Sequence, residues 1–223
     1  MKYKTCVSIV EKTPYKIKQT LKIALKKSDY VEVRFDFLKI EQIPEAIEMI
    51  KKDLSKIVCT LRPKTEGGKF TGNEKERIAI LKLIAEYNPY LLDVEFNTLK
   101  RNSSLVKYLK STKTKLLVSW HGFKKTPSSA ELKKKMNQMT KFSSNVKIVC
   151  TTKSTDDSNR MLELYSKKGK SNLISFAMGD FGRISRILCL YLGSLFTYVS
   201  LGKAIAPGQF SVDEIKKITN LKK

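Results

Sequence analysis

The stretch Val31-Glu32-Val33-Arg34-Phe35-Asp36-Phe37 alternates apolar and charged side chains with a period of two. Successive side chains of a β-strand point to opposite faces of the sheet, so a strand here carries its three charges on one face and its apolar residues on the other. Because an apolar strand face packs against helices in a layered α/β protein, the charged face points the other way. The stretch therefore predicts a strand with one buried apolar face and one charged face.

Several other apolar runs of the sequence carry polar side chains in the same way. Run by run, these side chains are Thr60 and Arg62, Asp93 and Glu95, Ser119 and His121, and Lys147. A buried charge that lacks a partner is strongly destabilising. These groups must therefore either neutralise one another in a structural ion-pair network or bind a ligand.

Helical patterns separate these strand patterns along the whole chain. The predicted strands span about 4–10, 30–38, 56–62, 90–97, 115–123, 146–152, 173–178 and 195–201. The predicted helices span about 14–27, 42–52, 73–87, 98–110, 128–142, 155–167, 182–192 and 212–221. Strands that alternate with helices predict an α/β protein with a parallel sheet. Eight such units, without a linker or a repeat, favour a (β/α)8 barrel that forms a single domain over residues 1–223.

An open, doubly wound sheet is the alternative fold. Such a sheet normally has a glycine-rich phosphate turn after its first strand, but here Glu11-Lys12-Thr13-Pro14 follows that strand. In a barrel the charged strand faces point to the axis, and the polar groups near the C-terminal ends of the strands form the active site. The barrel therefore accounts for the charges as a candidate active site.

Lysine and arginine outnumber the acidic residues by 44 to 21, which gives a formal net charge of +23. This charge is compatible with nucleic-acid binding, with attraction of anionic substrates, and with a solvated surface that has no partner. The lysines are spread over the predicted helices, as in Lys133–Lys135, and do not form one block with aromatic residues. We therefore favour the solvated surface and expect no nucleic-acid partner.

The four cysteines stand singly within apolar runs and form no C-x-x-C pair, which argues against a zinc site and a disulfide framework. No apolar stretch approaches the ~20 residues that a membrane span requires. The N-terminal residues also lack the features of a signal peptide. We expect a cytoplasmic protein without a membrane partner or a metal.

The single histidine, His121, is the first candidate for proton transfer, because the unperturbed pKa of imidazole lies near neutral pH. A structural histidine held by one hydrogen bond is the alternative. Lys147 and Lys115 both lie in predicted strands, and the residues alone do not choose between them. Lys115 stands six residues before His121, roughly 20 Å along a strand, which favours the opposite end of the barrel for Lys115.

Taken together, the order and spacing of these motifs closely resemble the type I 3-dehydroquinate dehydratase family. The matching motifs are Glu32-x-Arg34-x-Asp36, Thr60-x-Arg62 with Glu66-Gly67-Gly68, Asp93-x-Glu95, Ser119-Trp120-His121-x-Phe123, Lys147, Met178-Gly179-x-x-Gly182-x-x-Ser185-Arg186, and Ala206-Pro207-Gly208-Gln209. The resemblance covers nearly the whole chain. One departure is Ile205, where the family often has a serine that contacts the substrate.

The resemblance implies a hydro-lyase that converts 3-dehydroquinate to 3-dehydroshikimate in the shikimate pathway, which leads to aromatic amino acids. It implies that Lys147 forms a Schiff base with the substrate ketone, that His121 acts as general acid and base, and that Glu95 orients His121. The substrate-binding residues implied are Ser8, Glu32, Arg34, Arg62, Arg186 and Gln209. The resemblance also implies a (β/α)8 barrel, no metal, no cofactor, and a homodimer.

Two rival functions remain at this point. A class I aldolase that acts on a sugar phosphate shares the Schiff-base lysine and a basic anion site, but it does not predict the spacing of Glu95 and His121. A basic barrel that binds RNA accounts for the net charge, yet it leaves the inward-facing charges without an explanation.

Overall fold

The computed structural model describes residues 3–220 of the chain. The strands are β1 Thr5–Ile9, β2 Tyr30–Arg34, β3 Ile57–Thr60, β4 Leu91–Glu95, β5 Leu116–Gly122, β6 Asn145–Thr151, β7 Asn172–Met178 and β8 Thr197–Val199. They form one sheet in the order β7-β6-β5-β4-β3-β2-β1-β8. The pairs β1–β8, β2–β3, β3–β4 and β6–β7 are parallel.

This strand order distinguishes between the two folds that the sequence allowed. The strands follow one another in chain order and the first lies beside the last, whereas a doubly wound sheet reverses its order around an internal first strand. The amide of Leu195, just before β8, also donates to the carbonyl of Leu173 in β7 over 3.2 Å. The arrangement is that of a (β/α)8 barrel, as predicted.

The helices alternate with the strands. They are α1 Pro14–Lys27, α2 Ile43–Ile50, α3 Glu74–Glu86, α4 Phe96–Arg101, α5 Ser103–Ser111, α6 Ser129–Met139, α7 Thr155–Glu163, α8 Ser185–Tyr191 and α9 Val212–Asn220. The helix predicted over 98–110 is divided between α4 and α5, because Asn102 has non-helical dihedral angles, with φ −128° and ψ 80°. The predicted end of the last helix, Leu221, lies outside the described residues. No helix among residues 3–220 has the length and apolar character to span a bilayer.

Side-chain caps begin helices α6 and α9. The Ser128 hydroxyl accepts from the Glu131 amide, and the Glu131 carboxylate accepts from the Ser128 amide over 2.9 Å. Ser211 and Glu214 make the same reciprocal pair at α9. Such caps satisfy amides that have no partner within the helix.

Strand β2 is shorter than predicted and ends at Arg34. Residues Phe35–Phe37 form a short 3-10 turn, so Asp36 does not continue the charged strand face that the sequence pattern suggested. The turn lets the Asp36 carboxylate fold back and accept hydrogen bonds from Arg34 and from the Lys69 amide. Local ion pairing outweighs the extended conformation at this position.

The described residues group into two compact units. The first comprises residues 3–7 and 118–220, and the second comprises Ser8–Leu117. In the second unit the apolar residues of β2, such as Val31 and Val33, are completely buried, as are Ile17 and Leu21 of α1. In the first unit Val146 and Ile148 of β6 are completely buried in the same way. The strands thus bury their apolar positions as the sequence pattern requires.

Candidate active site

In the second unit, three polar residues meet near the C-terminal ends of the strands. The Ser8 hydroxyl of β1 donates to Glu32 Oε2 over 2.7 Å, and the Thr60 hydroxyl of β3 donates to Glu32 Oε1 over 2.9 Å. All three side chains are buried. Both oxygens of Glu32 are therefore held in fixed positions by hydroxyl donors, and its carboxylate also interacts electrostatically with Arg34 and Arg62.

Arg62 stands two residues beyond the end of β3 and lies between two buried acids. Its Nη1 donates to Glu95 Oε1 over 2.6 Å, and its Nη2 donates to Asp93 Oδ2 over 2.5 Å. Burial lowers the pKa of Arg62, but the charges of Asp93 and Glu95 outweigh this effect and raise the pKa above its ordinary value. The guanidinium is therefore a permanent cation in a position fixed by two carboxylates.

Arg77 of α3, which is not among the predicted site residues, belongs to the same network. Its Nη1 donates to Glu95 Oε2 over 2.7 Å and to the Leu61 carbonyl over 3.3 Å. Glu95 thus accepts from two arginines, one on each oxygen. Burial raises the pKa of Glu95 above its ordinary value. The positive charges of Arg62 and Arg77 oppose this shift but are the smaller effects.

The sequence does contain a signal for Arg77. Arg77, Ile80, Leu81 and Ile84 follow the spacing of the buried stripe of a helix, and all four are buried. An arginine at a stripe position requires a buried acid as its partner. The pattern therefore indicates an ion pair beneath α3, but it does not name the acid.

Arg34, predicted to bind substrate, makes a two-point ion pair with Asp36. Its Nε donates to Oδ1 over 2.7 Å, and its Nη2 donates to Oδ2 over 2.8 Å. The guanidinium also lies 5.3 Å from the centre of the Phe37 ring. These contacts fix the direction in which the end of the side chain points.

The glycines after Arg62 allow the chain to fold closely over the Arg62 backbone. Gly67 has a φ of +77°, and a Cβ atom at Gly68 would lie 1.9 Å from the Arg62 carbonyl oxygen. The Phe70 amide donates to the same oxygen over 3.4 Å. The segment therefore packs on the backbone that carries the Arg62 guanidinium.

In the first unit, Lys147 is a buried lysine in a strand interior. It pairs with Ile174 in the register of β6 and β7 and is 7% exposed. Its Nζ lies 4.2 Å from the centre of the Tyr198 ring of β8. Lys115, the other lysine candidate, is exposed and precedes the first residue of β5. The structure thus buries Lys147 and leaves Lys115 exposed.

His121 is the sixth of the seven residues of β5 and is half-buried. Its ring is nearly parallel to that of Phe123, with 6.0 Å between the ring centres. Strands β5 and β6 are neighbours in the sheet, so His121 and Lys147 lie on adjacent strands of the same unit. Ser119, which alternation places on the His121 face, is completely buried.

Arg186 of α8 is a buried cation with little compensation. It is 2% exposed, its Nη2 donates to the Pro207 carbonyl over 3.1 Å, and its guanidinium lies 4.3 Å from the centre of the Phe176 ring. Among residues 3–220 its Nε has no acceptor and its side chain forms no ion pair. Burial lowers the pKa of Arg186 to about 10. This environment suits the binding of an anion, which would restore the missing charge partner.

Gln209 is buried in the turn that follows β8. The side-chain Oε1 of Gln209 accepts from the backbone amides of Ile205 and Ala206 over 2.9 and 3.3 Å. The backbone amide of Gln209 donates to the Ala206 carbonyl over 3.1 Å. Gly208 supports the turn with a φ of +72°. The side-chain oxygen of Gln209 therefore stabilises its own loop.

The turn between β7 and α8 brings Arg186 close to the strand. A Cβ atom at Gly182 would lie 2.5 Å from the Ala177 carbonyl carbon, so only glycine fits this approach. The Ser185 hydroxyl accepts from the Ala177 amide over 2.8 Å and donates to the Gly182 carbonyl over 2.5 Å. The glycine and the serine thus fix the start of the helix that carries Arg186.

The described residues include no group of three or more His, Cys, Asp or Glu side chains in a position to hold a metal ion.

Comparisons with known proteins agree on one family. The profile of type I 3-dehydroquinase matches residues 5–223. The 3-dehydroquinate dehydratase of Methanocaldococcus jannaschii is 35% identical over 220 residues, which cover 97% of each chain. That of Dehalococcoides mccartyi is 36% identical over 201 residues, which cover 87% of this chain and 88% of the relative.

Solved structures agree with the sequence comparisons. The 3-dehydroquinate dehydratase of Geobacillus kaustophilus matches 99% of this chain and 91% of its own, with a TM-score of 0.89 and 24% identity. The type I enzyme of Clostridium difficile, solved with covalently modified comenic acid, matches 98% of this chain and 92% of its own, with a TM-score of 0.87 and 25% identity. The chain therefore belongs to the type I 3-dehydroquinase family and is, by that membership, a 3-dehydroquinate dehydratase, a hydro-lyase.

Proposed function

We propose that this chain dehydrates 3-dehydroquinate through a Schiff base on Lys147, with His121 as the general acid and base. The observation that carries the proposal is a buried amine and a buried guanidinium in one unit: Lys147 Nζ lies against the Tyr198 ring, and Arg186 makes no ion pair among the described residues. The substrate is a cyclic ketone with a carboxylate. The amine of Lys147 would react with the ketone, and the guanidinium of Arg186 would bind the carboxylate.

The reaction begins when the neutral Nζ of Lys147 attacks the ketone carbon and forms a carbinolamine. Loss of water from the carbinolamine gives a protonated imine, which withdraws electrons far better than the ketone and so acidifies the adjacent C–H bond. Removal of that proton and departure of a hydroxyl group as water form the new carbon–carbon double bond. A water molecule then hydrolyses the imine, which releases 3-dehydroshikimate and the free lysine, so one water is lost overall.

His121 is the proposed carrier of the protons in these steps. It accepts the proton from the C–H bond and donates one to the departing hydroxyl, as general acid–base catalysis requires. Its place on β5, beside the strand of Lys147, supports this role. The orientation of His121 by Glu95 stays a prediction, and the Glu95 contacts with Arg62 and Arg77 favour a further role in fixing Arg62.

The remaining site residues are proposed to bind the substrate. Arg186 would bind the carboxylate, since a buried guanidinium without an acid partner gains most from an anion. The other predicted residues are proposed to contact the hydroxyl and carboxylate groups of the substrate. They are Ser8, Glu32, Arg34, Arg62 and Gln209. Of these, Glu32 is already oriented by Ser8 and Thr60, as expected of a group that receives a substrate hydroxyl.

The proposal is tested by trapping the imine. Incubation with 3-dehydroquinate and borohydride, followed by mass spectrometry of peptides, is expected to show a reduced adduct on the peptide of Lys147. The Lys147→Ala variant should lose both the adduct and turnover, whereas Lys115→Ala, a matched change at the exposed lysine, should keep both. An adduct on Lys115, or turnover that survives in Lys147→Ala, would overturn the assignment. The covalently modified ligand in the Clostridium difficile relative supports this choice of experiment.

We also propose that the chain acts in the shikimate pathway and in the cytoplasm. All four cysteines are free and buried, which is compatible with a reducing compartment. Expression in a bacterial strain that lacks 3-dehydroquinate dehydratase should restore growth without aromatic amino acids. Failure of the active protein to restore growth would argue against the pathway assignment.

The homodimer implied by the resemblance has a candidate surface on α8 and the residues that flank it. Phe181, Ile184, Leu188 and Leu192 are 40–55% exposed and are spaced by three or four residues. Residues 187–196 contain no charged side chain, although the chain carries a net charge of +23. A second copy is therefore the occupant we propose, since these apolar side chains can pack against those of another chain, and the exposed cation among them, Arg183, is paired with Glu214.

Sedimentation velocity at low micromolar concentration tests this surface. The wild-type chain should sediment as a dimer, and Leu188→Lys should shift it to a monomer with an unchanged circular dichroism spectrum. Ile23→Lys, a change at an exposed residue of α1, should leave the dimer intact. A wild-type monomer, or a Leu188→Lys dimer, would exclude this interface.

A further inference from the structure

Two buried aromatic rings connect Lys147 and Arg186. Lys147 Nζ lies 4.2 Å from the centre of the Tyr198 ring, and the Arg186 guanidinium lies 4.3 Å from the centre of the Phe176 ring. The two rings meet edge to face, with 6.3 Å between their centres and 64° between their planes. The amine and the guanidinium thus each lie on a ring, and the two rings contact each other.

The backbone holds both rings in place. Phe176 is in β7, two residues beyond Ile174, which is the register partner of Lys147. Tyr198 is in β8, and both rings are almost completely buried. Packed rings of this kind have little rotamer freedom. Both the Lys147 amine and the Arg186 guanidinium therefore lie against rings of strand residues rather than of loop residues.

A ring face holds a cation in a different way from a carboxylate. In the second unit, Arg62 and Arg77 are held by acids whose charge neutralises them. A ring attracts a cation through its quadrupole and carries no net charge, so the cation keeps its full charge for a ligand. Arg186, which has no ion pair among residues 3–220, therefore keeps its positive charge for a ligand.

We propose that Phe176 and Tyr198 form a bracket that fixes the distance between Lys147 Nζ and the Arg186 guanidinium, and thereby selects substrates by the spacing of their ketone and carboxylate. The proposal rests on the proposed function, since it needs Lys147 as nucleophile and Arg186 as carboxylate site. Its substrate class is six-membered cyclic ketones that carry a carboxylate on the same ring. Tyr198 contacts the reacting nitrogen, and Phe176 is a positioning residue that acts through Arg186.

The test compares two ketones, 3-dehydroquinate and cyclohexanone, which has no carboxylate. Borohydride trapping on Lys147 is measured for each ketone, and their ratio gives the preference for the keto acid. In Phe176→Leu the yield with 3-dehydroquinate should fall about tenfold, the effect expected for a lost desolvated cation–π contact, while the yield with cyclohexanone changes less than about twofold. In Tyr198→Leu both yields should fall, and the yield with 3-dehydroquinate should fall further.

Conservative and matched variants separate the bracket from general packing. Tyr198→Phe keeps the ring and should restore the preference that Tyr198→Leu loses. Tyr165→Leu makes the same substitution at another buried tyrosine of this unit, whose ring lies below the surface residue Lys168, and should not change the preference of the folded protein. Where a leucine variant does not fold, Phe176→Met and Tyr198→Met replace the ring with a flexible apolar side chain and give the same readout.

Each outcome bears on the bracket. A preference that falls in Phe176→Leu, and is restored by Tyr198→Phe relative to Tyr198→Leu, supports it. Equal losses with both ketones in Phe176→Leu, or a preference that Tyr165→Leu reduces as strongly, would overturn it. A wild-type protein that forms no adduct on Lys147 would instead refute the proposed function, so the two failures are distinguishable.

Discussion

Arg77 Nη1 donates to Glu95 Oε2 over 2.7 Å and thereby joins helix α3 to the last residue of strand β4. Arg62 donates to the other oxygen of the same carboxylate. The negative charge of Glu95 is therefore shared by two cations in a buried environment. Removal of either cation leaves a charge imbalance that the surrounding residues do not offset.

Arg77→Met is expected to lower the free energy of unfolding by about 3–5 kcal/mol, because it removes one partner of a buried ion pair. Urea unfolding followed by circular dichroism measures the change. Glu74→Gln is the matched control, since Glu74 also pairs with Arg77 but its side chain is half exposed, and its loss should cost at most about 1 kcal/mol. Similar decreases in the free energy of unfolding for the two variants would show that the buried pair with Glu95 contributes no more than the exposed pair with Glu74.

His121→Ala should separate proton transfer from imine formation. We expect turnover to fall by about 10²–10⁴-fold, the usual contribution of a general acid and base, while borohydride still traps substrate on Lys147. Steady-state kinetics and mass spectrometry of the reduced adduct provide the two measurements. A turnover close to that of the wild type would remove His121 from the mechanism.

Arg186→Met should make the protein more stable and less able to bind substrate. The folded-state pKa of Arg186, about 10, lies below its ordinary value of 12.5, so the charged side chain lowers the free energy of unfolding at every pH below about 10. An apolar side chain of similar volume should raise the free energy of unfolding at pH 7 by about 1–3 kcal/mol. This gain should shrink as the pH rises above 10.

The same variant tests the carboxylate contact. If the contact is equally strong in the ground state and the transition state, KM should rise and kcat should change little. An unchanged kcat/KM in Arg186→Met would exclude Arg186 as the carboxylate site. A decrease in the thermal stability of Arg186→Met would show that the Arg186 guanidinium is stabilised by contacts other than those described above.

Ser128→Ala should cost about 1 kcal/mol of unfolding free energy, because the side chain accepts from the Glu131 amide at the start of α6. Thermal unfolding of the two proteins measures the difference. Ser128→Asp retains an acceptor and should restore most of the loss. Equal stability of Ser128→Ala and the wild type would show that the cap contributes nothing measurable.

The sequence predicts the fold because strand and helix periodicities are local. The period of two in residues 31–37 and the stripe of α3 are visible without any partner, and the strand bounds differ from those predicted by only a few residues. The β2 strand is the clearest exception, since Asp36 leaves it to pair with Arg34. A period of two does not reveal a local ion pair that competes with it.

The candidate site is predictable in its residue types but not in its pairings. Alternation places Arg62 and Glu95 on polar strand faces, and burial of Lys147 agrees with its predicted strand. The partner that Arg77 finds in Glu95, 18 residues away, depends on how the helix packs, which no single segment encodes. The contact of Lys147 with Tyr198 joins residues from different strands and is not visible in the sequence for the same reason.

The fit of Gly68 against the Arg62 carbonyl links a loop to a guanidinium. Any side chain at residue 68 would push the Arg62 backbone away and would move the nitrogens that Asp93 and Glu95 hold. Chimeras between this chain and its relatives should therefore exchange residues 62–70 as one block, with the acids of β4. Exchange of the loop alone would produce a protein with intact strands and a misdirected arginine.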